Sequence, residues 1–322
     1  MKFLRSVLVQ DEIPATDGTY DYDLPVNPLS HVVLTLKALN AGVNTKATLA
    51  QLLGALELVE VTYRGSAIVS LNGADLYALN CILLGHEPWQ ENVINLDNAV
   101  RHLSLVIPFG RALFNPKECL FETRKGELKL KIQIDIADTG YDGVIFQIET
   151  VELLDIKPVQ YLKIQTLAKT PTAVGDLDID LPIGNIIAGL LLWGTTIPTG
   201  ASWIATIDKV KLLLNNKEEY YSQANWESLH GDLIALLDPA GNWGEKFHME
   251  NLAAAYAQNA DTATEEQDDS DISNYALMNF GIKIPEDFLL DSKGLSRFHL
   301  RIAAGDTNPL RILPIELLKV GA

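Results

Sequence analysis

Glu127-Leu128-Lys129-Leu130-Lys131-Ile132-Gln133-Ile134-Asp135-Ile136 alternates without a break between apolar and polar side chains. On an extended chain Leu128, Leu130, Ile132, Ile134 and Ile136 fall on one side. Glu127, Lys129, Lys131, Gln133 and Asp135 fall on the other. A period of two belongs to a strand with one buried face. A second stretch repeats the pattern, with Phe298, Leu300 and Ile302 inward and Arg297, His299 and Arg301 outward. Each follows a Lys-Gly pair, Lys125-Gly126 and Lys293-Gly294. The two stretches predict half-buried strands of a sandwich or barrel, one in each half of the chain.

Working outward, three more matches keep the same order in both halves. Asp21-Tyr22-Asp23-Leu24-Pro25-Val26 resembles Asp178-Ile179-Asp180-Leu181-Pro182-Ile183. Leu105-Val106-Ile107-Pro108 resembles Ile282-Lys283-Ile284-Pro285, and Val151-Glu152-Leu153-Leu154 resembles Ile315-Glu316-Leu317-Leu318. Any one match is short enough to arise by chance; four in a common order predict an internal duplication.

Further strands are expected at 29–38, 56–63, 67–71, 102–107, 144–154, 159–166, 186–193, 204–214, 277–284 and 310–318. Pro25, Pro28, Pro108, Pro182 and Pro285 mark strand ends, because proline cannot donate to a ladder. Short helices are expected at 46–53, 74–84, 226–237 and 245–257. Many short strands with few helical excursions predict an all-β sandwich or jelly roll rather than βαβ units. Within 29–38, Val32, Leu34 and Leu36 face inward, with His31, Thr35 and Lys37 opposite. The run Ile186-Ile187-Ala188-Gly189-Leu190-Leu191-Leu192-Trp193 has no polar face. Such a strand requires cover on both sides, which predicts packing against the sister unit, a neighbouring subunit or a local helix.

The 322 residues suffice for two domains. Hydrophobic residues make up 48% and charged residues 21%, a globular composition. The net charge of −17 argues against coating a phosphate backbone. Cys81 and Cys119 lack metal-type spacing and read as two reduced, buried thiols. The first ten residues have no signal-peptide pattern. The run 186–193 is far short of a membrane-spanning helix. The stretch 258–273 carries Asp261, Glu265, Glu266, Asp268, Asp269 and Asp271 with no base, and reads as an exposed loop. It lacks the ligand spacing of an EF-hand.

The chain has no G-x-S-x-G, P-loop, dinucleotide or H-E-x-x-H motif. Its six histidines, at 31, 86, 102, 230, 248 and 299, do not pair at helical spacing. His31 and His299 read as surface imidazoles. His86-Glu87 reads as a loop after a helix that stops at Gly85. Trp193, Trp203, Trp226 and Trp243 are expected in core and interfaces, with a sugar groove as the rival role. No residue is assigned to catalysis, to a cofactor or to a metal.

A duplicated β unit without catalytic motifs resembles the double jelly-roll major capsid proteins of the adenovirus and tectivirus lineage. The smaller FLiP-like and corticovirus-like phage proteins belong to that group. Tyr20-Asp21-Tyr22-Asp23-Leu24-Pro25-Val26-Asn27-Pro28-Leu29, leading into a hydrophobic strand, is similar to the start of such phage proteins. The resemblance implies a tandem double jelly roll, two eight-stranded β-sandwiches at 1–160 and 161–322. It implies a homotrimeric, pseudo-hexagonal capsomer of a tailless icosahedral virus. Implied partners are neighbouring capsomers, minor capsid or vertex proteins, and an internal viral membrane toward which Lys2 and Arg5 could face. No specific nucleic-acid contact is implied. The place of action would be the virion, after synthesis in the host cytoplasm. The rival reading is a carbohydrate-binding or glycoside-hydrolysing β-sandwich protein; a third is a tail or adhesin module.

Overall fold

The alternating stretches form strands at Leu128–Ile134 and Phe298–Ala304. Leu128, Leu130, Ile132 and Ile134 are buried, as are Phe298, Leu300, Ile302 and Ala304. The computed structural model describes residues 2–12, 17–41, 48–91, 100–137, 139–199, 202–237 and 272–321. The expected helix at 245–257, nearly all of the acidic stretch 258–273, Trp243 and His248 lie outside these. The described residues divide into two compact units, one up to Leu162 and one from Lys163.

The first unit contains β1 (Lys2–Glu12), β2 (Gly18–Asp23), β3 (Leu29–Asn40), α1 (Leu49–Ala55), β4 (Leu56–Tyr63), β5 (Ser66–Leu71), α2 (Gly73–Leu84), β6 (Gln90–Glu91), β7 (Val100–Pro108), β8 (Leu128–Ile134) and β9 (Tyr141–Leu154). One sheet has the order β1-β9-β3-β7-β6, and in the second layer β5, β4, β8 and β2 lie side by side. Tyr20 and Tyr22 of β2 meet Phe146 of β9 edge-on at 5.4 and 6.3 Å, joining the layers through apolar contact.

After β10 (Gln160–Gln165) the second unit contains β11 (Leu167–Lys169), β12 (Gly175–Asp180), β13 (Ile186–Gly194), β14 (Ile207–Leu214), β15 (Lys217–Glu218), β16 (Ala224–Asn225), α3 (Trp226–Leu236), β17 (Tyr275–Asn279), β18 (Leu290–Asp291), β19 (Phe298–Ala304) and β20 (Leu310–Lys319). Here β11, β20, β13 and β17 are successive neighbours, and the facing sheet runs β15-β14-β19-β12. Leu190, Leu192 and Ile312 pack against Val210, Leu212, Leu300 and Ile302 in one core, closed by Trp226 of α3.

The eight principal strands of each unit, taken in chain order, pair identically. The first, eighth, third and sixth make one layer; the fifth, fourth, seventh and second make the other. This is the jelly-roll order, and it occurs twice.

Local details repeat too. Gly126 and Gly294 both take positive φ, 79° and 83°, at the turns entering β8 and β19. The β4–β5 turn places Arg64 and Gly65 at φ 50° and 80°. The β14–β15 turn places Asn215 and Asn216 at 49° and 67°. Left-handed geometry at both central residues matches the twist of a two-residue hairpin. Asn27 Nδ2 donates to Glu152 Oε2 at 2.7 Å, and Asn185 Nδ2 donates to Glu316 Oε2 at 2.5 Å. Both carboxylates are buried, and burial pushes the Glu316 carboxyl above its ordinary range against the pull of Asn185 and Lys163.

Three of the four sequence matches therefore fall on equivalent strand ends. The fourth does not. Leu105–Pro108 lies in β7, whereas Ile282–Pro285 follows β17, whose Tyr275–Asn279 is the true counterpart. The doubly apolar strand is β13, and residues 187–192 are all buried. Part of its cover is local: a Cβ on Gly189 would meet Ile282 Cδ1 at 3.0 Å.

Replacing Ile132 with alanine opens a cavity between the layers and is expected to cost about 2–5 kcal/mol. Lys129→Ala, on the exposed face of the same strand, is expected to cost less than about 0.5 kcal/mol. Urea-unfolding midpoints at constant slope check both.

Candidate functional site

Among the described residues no three His, Cys, Asp or Glu side chains gather to hold a metal ion. His86 Nδ1 lies 2.7 Å from the Glu87 carbonyl oxygen, in the turn after Gly85 ends α2. Trp226 is only 3% exposed and belongs to the core, and the Arg311 guanidinium covers Trp193 at 3.6 Å. Neither is free to stack on a sugar. Trp203 is 87% exposed. Cys81 and Cys119 are buried and unbridged, and burial pushes the Cys119 thiol up to about 12.

Both histidines expected at the surface are buried. His299 is on the outward face of β19, but its register partners Asp180 and Leu213 flank it and Asp178 Oδ2 lies 3.9 Å from its Nε2. His31 is on the outward face of β3, yet loop 109–127 folds over it. Phe114 stands edge-on at 5.2 Å, and its N–H donates to Ser30 Oγ at 2.8 Å. Burial, then the nearby Arg5 charge, lower the His31 pKa to about 4.

The sheet edges are treated unequally. On β7, beyond β6, the Ser104 N–H donates to the Trp89 carbonyl and Asn80 bonds both the N–H and the C=O of Val106. On β17, Tyr221 bonds Asn279 and His230 bonds the Tyr275 carbonyl. The edge strands β2 and β12 point Asp21 and Asp23, and Asp176, Asp178 and Asp180, toward solvent. Charged edges deter strand addition. β1 is different. It is an edge strand of 11 residues with Phe3, Leu4 and Val7 exposed at 62%, 48% and 53%. Bulges interrupt it only after Val7. Among the described residues no strand pairs with the outer side of its regular first half.

Loop 109–127 builds the surface beside the start of β1. A buried ion pair between Arg111 and Glu118 anchors it, and Gln160 Nε2 donates to Glu118 at 3.0 Å. Burial raises the Glu118 carboxyl, but the Arg111 hydrogen bonds and charge outweigh it and hold the group below the carboxylate range. Leu29 and Leu120 exchange backbone hydrogen bonds at 3.1 and 2.9 Å. Neither a strand at the start of the chain nor any structure for this loop is expected from the sequence. The available signal was four bases between 111 and 125 in a chain of net charge −17.

No protein-family model and no curated protein matches the chain. Solved structures do. The STIV MCP aligns over 99% of this chain and 97% of its own, at 12% identity and a TM-score of 0.68. The major capsid protein P2 from bacteriophage PM2 aligns over 99% and 98%, at 13% identity and 0.61. The PBCV-1 virus capsid aligns over 98% and 94%, at 13% and 0.58. The chain has the double jelly-roll fold of viral major capsid proteins. In this double jelly roll the enclosed edges and the open β1 edge lie on the same duplicated scaffold.

His31 links this surface to stability. The unfolded chain takes up a proton near the ordinary imidazole pKa while the folded chain stays neutral down to about 4. Stability from this group is therefore present at neutral pH and lost between roughly pH 6.5 and 4, on the order of 3 kcal/mol. A His31→Gln variant is expected to lack that part of the acid dependence in denaturant titrations.

Proposed function

We propose that this chain is the major capsid protein of a tailless icosahedral virus, a structural subunit rather than an enzyme. The observation that carries the reading is whole-length likeness: both units, in order, align with capsid subunits over nearly all of their own length. Residues 1–160 and 161–322 act as two jelly rolls. Three chains close a capsomer in which six similar units make a near-hexagonal outline. Its partners are other copies, neighbouring capsomers, minor capsid or vertex proteins and an inner membrane. It makes no specific contact with nucleic acid, in keeping with a net charge of −17. The chain acts in the virion, after synthesis in the host cytoplasm.

The mechanism is assembly. A single chain leaves Trp203, Val174 and Phe3 exposed at 87%, 66% and 62%. Large apolar groups in that state mark surfaces that gain by being covered. The regular half of β1 adds backbone groups that no other described strand pairs with, and a neighbouring strand would satisfy them. Obligate contacts of this kind bury ~2,000 Å² or more.

Mass measurement of the purified protein is expected to give a trimer of the 35.4 kDa chain. Disrupted particles are expected to release the same species. A monodisperse monomer that never enters particles would remove the reading.

A further inference from the structure

The Asn–Glu latch occurs in both units, but only the latch of the second unit carries a lysine. Lys163 lies in β10, the strand beside β20, and its Nζ is 3.7 Å from Glu316 Oε1. On the other oxygen of the same carboxyl, Asn185 Nδ2 donates at 2.5 Å. All three residues belong to the second unit. The Glu316 side chain is 2% exposed and that of Lys163 25%. In the first unit Asn27 bonds Glu152 in the same way, but the residue opposite Glu152 on β1 is Leu4. Asn185 is also pinned through its backbone. Ser292 Oγ donates to its carbonyl at 2.7 Å and accepts its N–H at 3.2 Å and the Gly184 N–H at 3.0 Å. A primary amine and a carboxamide are thus held apart by a single buried carboxyl group.

We infer that Lys163 and Asn185 join in an isopeptide bond, with Glu316 as the proton relay. Lys163 Nζ attacks Asn185 Cγ; the Nζ–Cγ bond forms and the Cγ–Nδ2 bond breaks. Of the three protons on the Lys163 ammonium, one stays on the new amide. One passes through the Glu316 carboxyl to Nδ2, which leaves as ammonia, and the last leaves with it as ammonium. No electrons are exchanged and no co-reactant is consumed. In water an amine does not displace an amide nitrogen, because the amine is protonated and the amide is a poor electrophile. Inside a fold, proximity changes the balance: well-oriented groups reach effective molarities of about 10⁵ M or more. Glu316 touches both nitrogens that must change protonation, which is the geometry a general acid–base needs. Its carboxyl, pushed above the ordinary range by burial, is suited to hold a proton in transit. Exclusion of water from the same site protects the product from hydrolysis. Since β10 and β13 flank β20, the bond would staple across that strand and restrict the unfolded chain as a disulfide does.

The intact mass of the purified full-length protein decides the matter. It is expected to fall below the sequence mass by one ammonia, and proteolysis to yield a branched peptide joining Lys163 to Asn185. K163R keeps a positive charge beside Glu316 and is expected to show the full mass. E316Q keeps the shape of the relay without its acid–base function and is expected to show the full mass too. Circular dichroism would check that both variants fold, and the wild-type mass needs no variant to be read. A plain ion pair predicts the sequence mass for wild type after prolonged incubation, with Lys163 and Asn185 on separate peptides, and that result would overturn the inference. Ammonia loss mapped to other residues, hydrolysis of Asn185 to aspartate with Lys163 left free, or undiminished cross-linking in E316Q would do the same. The bond is read on the isolated chain, so the shell reading stands or falls separately on the trimer and on recovery in particles.

Discussion

The backbone hydrogen bonds of two sandwiches must end somewhere, and this constraint organises the molecule. Strand order alone satisfies the interior of each sheet. At the margins, satisfaction comes from side chains: the Asn80 amide serves Val106 like a partner strand, and the Tyr221 hydroxyl does so for Asn279. The edge strands β2 and β12 present aspartates to solvent instead. Among the described residues the regular half of β1 has neither device, and it is the edge that another strand would extend.

Duplication explains why so many local features recur. The Lys-Gly turns, the left-handed hairpin turns and the Asn–Glu latches sit at equivalent places in both units. Each solves a problem that the strand order creates. A tight turn before the seventh strand needs a residue tolerant of positive φ, and a buried carboxylate needs a donor. Divergence is concentrated on outward surfaces. Loop 109–127 of the first unit is basic and anchored by the Arg111–Glu118 pair, while the second unit fills the corresponding interval with the short β18 and a three-residue helical turn, Glu286–Phe288.

Much of the core was legible in the sequence because alternation reports directly on which face is buried. The strand at 56–63 has the expected bounds, and every inward residue of β8 is buried. The Leu105–Pro108 match to Ile282–Pro285 misled because a tetrapeptide ending in proline occurs at a strand end and equally in a turn. His31 and His299 misled because alternation assigns a face, not its exposure. A loop arriving from nearly eighty residues away covers the first, and its own neighbours cover the second.

The sequence by itself determined the duplicated β framework, the inward residues and the acidic balance, since these follow from local periodicity and composition. Only the tertiary structure decided that the first residues form an edge strand, and that loop 109–127 folds beside it. Those are long-range placements. They depend on β9 arriving beside β1 and on Arg111 finding Glu118 in a buried site, and no periodicity along the chain encodes either.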